Sequence, residues 1–187
     1  MFGEQPKTLM RLSRLFLVVA LCGFLGFSQT GKAQTPDFSG SWRFDRSPSK
    51  NVESRSRFDD LTLVVSQSAA EIRITRTLTT KGKQRIAKLA YYTDERGEKN
   101  RSIYGDTRES KSAWHGNKFV SEFTVRSTVF GSSGAETYIQ PARDIWEISN
   151  DRKRLVITTQ IDEVKGLPYL AGELIKAEIY QRVFTRF

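Results

Sequence analysis

Glu71-Ile72-Arg73-Ile74-Thr75-Arg76-Thr77-Leu78 decides the fold class. Ile72, Ile74 and Leu78 share one parity, opposed by Glu71, Arg73, Thr75 and Thr77, which is the period-two pattern of a strand with one buried face. The alternation continues in both directions. Upstream, Leu61, Leu63 and Val65 alternate, and Gly40–Phe44 sets Trp42 and Phe44 against Arg43. Downstream, residues 84–93 carry Ile86, Leu89, Tyr91 and Tyr92 and turn at Asp94-Glu95-Arg96-Gly97. Residues 107–114 end in Trp114, and His115-Gly116-Asn117-Lys118 has hairpin-turn chemistry, because Gly and Asn tolerate positive φ. Phe119, Phe123 and Val125 then alternate with Glu122 and Thr124, and Gly131-Ser132-Ser133-Gly134 reads as a loop. Ile145–Ile148 leads through a polar turn into Leu155, Ile157 and Ile161. A last strand from about Leu174 to Arg186 carries Ile175, Ala177, Ile179 and Val183 on one parity.

Roughly nine strands, and no amphipathic helix after residue 34, predict an all-β domain. Short connections favour an antiparallel meander of about 8–10 strands, which avoids exposed edges best by closing into a barrel. A two-sheet sandwich is the alternative.

The 187 residues are expected to divide into a secretory signal helix over 1–33 and a single domain over 34–187. Lys7, Arg11 and Arg14 precede the apolar run Leu15–Phe27, and Gly31-Lys32-Ala33 places small residues where a signal peptidase reads. Export to the periplasm or the extracellular space follows as an expectation. Without this segment the formal charge falls from +9 to +6, and the only Cys and both Met are lost with it. One Cys and one His exclude disulfide frameworks, multi-Cys metal clusters and paired-His metal motifs, and no cofactor is expected.

Pro36-Asp37-Phe38-Ser39-Gly40-Ser41-Trp42-Arg43-Phe44-Asp45 resembles the opening of a lipocalin-like (calycin-type) β-barrel domain found in secreted bacterial proteins, with the Gly-x-Trp element at Gly40 and Trp42. Tyr91-Tyr92-Thr93-Asp94, Ser112–Phe119, Trp146-Glu147-Ile148-Ser149 and the closing Tyr180–Arg186 also fit such domains. The resemblance implies a barrel whose floor is closed by a basic residue of the last strand, Arg182 or Arg186, stacked on Trp42. It carries over no catalytic residues.

The chemistry-bearing residues are few. His115 sits in a turn, where an exposed side chain is expected. No Gly-x-Ser-x-Gly element holds a serine, and Ser47-Pro48-Ser49-Lys50 lacks the partner motifs of penicillin-recognising enzymes. Asp59-Asp60 and Asp94-Glu95 read as turn carboxylates. The aromatics Trp42, Tyr92, Trp114, Phe123, Trp146 and Tyr180 fall on different strands and are the candidates for a ligand-lined barrel interior. Residues 73–88 hold six Lys/Arg and no acid, a segment suited to an anionic envelope component. The expectation is a non-enzymatic exported barrel binding a small hydrophobic or amphipathic ligand, with no nucleic acid partner and with oligomeric state open. The alternatives are a small outer-membrane barrel, suggested by the terminal Phe187, and an enzyme of unrecognised type that uses carboxylates and Arg.

Overall fold

The computed structural model describes residues 35–52, 58–131, 134–164 and 175–187. The expected signal segment 1–33 and position 174 lie outside them.

Ten strands form one sheet: β1 Gly40–Lys50, β2 Asp60–Gln67, β3 Glu71–Thr80, β4 Lys83–Tyr92, β5 Glu98–Arg101, β6 Thr107–His115, β7 Lys118–Gly131, β8 Gly134–Ile148, β9 Arg154–Ile161 and β10 Glu178–Arg186. Every pairing is antiparallel, in the order β4-β3-β2-β1-β10-β9-β8-β7-β6-β5. The two ends of that sheet, β4 and β5, are consecutive in the chain, so the meander curls into a nearly closed barrel rather than two stacked sheets.

Side chains sew the last joint. Asn100 Oδ1 accepts from the Ala90 N–H at 2.8 Å, and Asn100 Nδ2 donates to the Ala90 carbonyl at 2.8 Å. Glu98 accepts from the Tyr92 N–H at 3.4 Å, while its other oxygen accepts from the hydroxyls of Ser110 and Ser112. A carboxamide and a carboxylate thus stand in for ladder bonds and satisfy a sheet edge that would otherwise be bare. Asn100→Ala orphans the Ala90 amide and is expected to lower stability by about 1–3 kcal/mol. Urea unfolding reads the loss, and amide exchange at Ala90 and Tyr92 shows whether it starts at this joint.

The floor is built from aromatics. Phe38 and Trp42 are fully buried, and the Trp42 indole N–H donates to the Phe38 carbonyl at 2.9 Å. Trp114 stacks on Phe38 with centroids 5.4 Å apart, and Phe119 and Trp146 pack edge to face beside them. Trp42 pairs with Arg186 across β1 and β10, and the Arg186 guanidinium lies 4.6 Å above the indole while donating to the Ser39 carbonyl at 3.0 Å. Gly40 makes room for it: its φ is +138°, and a Cβ there would sit 3.4 Å from the guanidinium carbon.

Two points of the sequence reading differ from the structure. β5 contains no apolar residue, so alternation could not reveal it. β7 and β8 run on beyond their neighbours, eight residue pairs from Thr124↔Pro141 to Gly131↔Gly134 having only each other as sheet partners, and residues 132 and 133 of the expected loop lie outside the described residues. On β10 the inward face is Tyr180, Arg182 and Phe184, and Ile179 is 58% exposed. That parity is not uniformly outward, since Val183 is 4% exposed, but at Ile179 it faces solvent while Arg182 takes an inward position.

Candidate functional site: a guanidinium-lined lumen

Above the floor the barrel holds a partly open cavity of about 140 Å³. Leu63, Ile74, Leu89, Trp146, Ile157 and Phe184 give it an apolar wall. Into that wall alternation also turns Arg76 of β3, Arg108 of β6, Asp144 of β8 and Arg182 of β10. Arg76 stands opposite Ala87 on β4, whose small side chain leaves space for the guanidinium.

Asp144, 4% exposed, is the hub. One carboxylate oxygen lies 3.2 Å from Arg108 Nη1. The other accepts from the Thr159 hydroxyl at 2.5 Å and lies 3.6 Å from Arg182 Nη2. Arg182 also donates to Thr159 Oγ1 at 2.9 Å. Arg108 donates to the Tyr91 hydroxyl at 3.0 Å and lies 4.0 Å over the ring of Phe123. Burial alone would lower the pKa of Arg108, but the oxygens of Tyr91 and Asp144 hold it above the usual arginine value. Burial pushes the Tyr91 hydroxyl up, opposed by Arg108. Tyr91 is therefore a neutral phenol at physiological pH.

Arg76 is different. It makes no hydrogen bond or ion pair with any described residue, and its Nε is sealed from solvent without a partner. Burial, reinforced by the neighbouring Arg182 cation, pulls its pKa down to about 10, which leaves it charged at neutral pH. The Nε of Arg182 is likewise buried and unpartnered among the described residues. A second cleft, about 470 Å³ and bordered by Val52, Phe58, Leu61, Ile179 and Tyr180, shares Arg76 and Arg182 with the inner cavity. The two guanidiniums thus stand where cleft and cavity meet.

Of the six aromatics expected in the interior, Trp146 lines the inner cavity and Tyr180 the outer cleft, where Arg182 lies 5.6 Å over its ring. Trp42 and Trp114 belong to the floor, and Phe123 supports Arg108. Tyr92 falls on the outward parity, because its neighbour Tyr91 turns in, and it packs under Arg96 at 4.4 Å. Of the two basic residues considered for floor closure, Arg186 covers Trp42 and Arg182 enters the lumen. The basic segment 73–88 is divided by the pleat: Arg76 points inward, Arg85 meets Tyr104, and Arg73 is exposed and bound to Glu71. His115 is exposed in the β6–β7 turn, and Asp94 pairs with Arg96. Among the described residues no group of three His, Cys, Asp or Glu side chains is placed to hold a metal.

Sequence reasoning missed Arg76, Arg108, Asp144 and Tyr91. The signal existed at Arg76, a cation on the same parity as Ile72, Ile74 and Leu78. A charge on an apolar face must either find a partner or serve a ligand.

Fold and lumen together define a class: a nearly closed antiparallel β-barrel with a partly open internal cavity. No protein-family model and no curated protein matches the chain. A solved structure described as a REP1-NXSQ fatty acid transporter superposes with a TM-score of 0.52, covering 81% of this chain and 96% of that one at 10% sequence identity. At that identity the likeness concerns the fold.

Proposed function

We propose that this protein is an exported, non-enzymatic carrier that takes a small amphipathic molecule into its barrel lumen. The observation that carries this reading is the partly open internal cavity of about 140 Å³, whose wall is mostly apolar with charged groups from β3, β6, β8 and β10 set into it. The fatty acid transporter that shares the fold supports it, since that ligand also combines an apolar body with a polar head. The outward faces favour a lumenal role over an outer-membrane barrel. Arg73, Thr75, Thr77 and Lys88 occupy outward positions on β3 and β4, where a lipid-facing band would need apolar residues. Export rests on the sequence of residues 1–33.

Ala87→Phe tests the reading by filling the lumen from a wall position that is small and buried. Titration of the parent protein with hexanoate and with 1-hexanol, followed by calorimetry and by tryptophan fluorescence, is expected to give saturable one-to-one binding of at least one probe. The variant, shown to be folded by its circular dichroism, is expected to bind neither. Unchanged binding by Ala87→Phe places the probes outside the barrel and sinks the proposal.

A further inference from the structure

We infer that the lumen is built for an organic anion with a short apolar body, its charged head received by Arg76 and Arg182 where the inner cavity and outer cleft meet. This rests on the lumen being the ligand site, as proposed above, and adds the sign of the head group and the length of the body.

Charge comes first. The side chains lining the inner cavity include three guanidiniums and one carboxylate. Asp144 is already divided between Arg108, Arg182 and Thr159 and makes no ion pair with Arg76, on which its charge acts only from a distance. A cation in an apolar wall without a direct ion-pair partner is destabilising, and a bound anion lowers that penalty.

Donor geometry comes second. Arg108 is committed to Asp144 and Tyr91 and supported by Phe123, so it holds the polar wall in place. Arg76 is uncommitted, and Arg182 keeps its Nε unused. Both line the inner cavity and the outer cleft, so a head group at their junction has access to donors from each. A guanidinium presents its N–H groups in a planar fork that matches two oxygens of one carboxylate, which a hydroxyl or ester head cannot reproduce.

Size comes third. The inner cavity of about 140 Å³ is close to the engineered apolar cavity of roughly 150 Å³ that takes a benzene molecule, and below the 300 Å³ at which sites for larger ligands begin. A body of about six carbons fills it. A chain twice that length meets the floor of Phe38, Trp42 and Trp146 and has to leave part of itself outside.

Calorimetric titration with hexanoate, 1-hexanol and dodecanoate, on the parent protein and on Arg76→Met, separates these statements. Hexanoate is expected to bind the parent at least tenfold more tightly than 1-hexanol, and dodecanoate no more tightly than hexanoate. Arg76→Met is expected to lose the tenfold preference while binding 1-hexanol within about twofold of the parent. Its thermal midpoint without ligand is expected to be equal or higher, because the variant removes a half-buried cation that has no ion-pair partner among the described residues. Arg76→Lys, which keeps the charge and loses the fork, serves as a second variant and is expected to retain only part of the preference. If 1-hexanol and hexanoate bind alike and Arg76→Met changes neither, the anion assignment is overturned while lumenal binding stands. Dodecanoate binding tenfold more tightly than hexanoate overturns the short body. If no probe binds, both this inference and the carrier reading fall.

Discussion

Asp144→Ala is expected to lower the stability of the ligand-free protein by about 3–5 kcal/mol, the range for removing one partner of a buried charge pair. The carboxylate touches Arg108, Arg182 and the Thr159 hydroxyl and is nearly inaccessible to water. Its loss leaves three guanidiniums facing one small cavity, with Arg76 already lacking a partner. Asp144→Asn keeps the shape and one acceptor, so it should fall between the parent and the Ala variant. Urea unfolding at neutral pH reads all three, provided the slope stays constant so that the midpoint reports stability. A loss below about 1 kcal/mol would show that the guanidiniums are hydrated well enough to stand without the carboxylate. The buried-hub account of Asp144 would then be wrong.

Trp42→Ala is expected to destabilise by a similar amount, about 3–5 kcal/mol, for a different reason. Trp42 is 0% exposed in the floor, its indole N–H is the donor to the Phe38 carbonyl, and its face is the platform for Arg186. Truncation leaves a large void, an orphaned carbonyl and an unsupported cation at once. Two milder variants divide the loss. Trp42→Phe keeps most of the packing and forfeits the hydrogen bond, for about 1–2 kcal/mol. Arg186→Ala removes the cation above the ring, for about 0.5–2 kcal/mol. Denaturant midpoints for the three, measured together, show whether packing dominates. If Arg186→Ala proves as damaging as Trp42→Ala, the stacked guanidinium rather than the indole closes the floor.

The strands that form the barrel wall were legible wherever one face meets the core and the other meets water, as in β2 and β3. Legibility failed where that condition fails. β5 pairs through Glu98-Lys99-Asn100-Arg101, a stretch with no apolar residue, because two of its side chains act as surrogate backbone across the joint with β4. On β10 the apolar parity at Ile179 misleads, because the inward positions include Arg182. Tyr91 and Tyr92 are adjacent and chemically alike, and only the register with Ile72 and Glu71 on β3 assigns one inward and the other outward. Hydrophobic periodicity finds the wall of a lumen more readily than its polar fittings. Those fittings are visible beforehand only as a charge that interrupts an apolar stripe, as Arg76 does.

The joint between β4 and β5 gives the barrel a mechanical character that its ladders alone would not. Where neighbouring strands are joined by runs of backbone pairs, as the ten pairs joining β3 to β4 illustrate, a local change in girth strains many bonds together. Along the sewn line the β4 backbone is held by one carboxamide and one carboxylate. Local opening follows the line of fewest bonds. The molecule is therefore a collar with a clasp: stiff around most of its circumference, with expansion concentrated at Glu98 and Asn100.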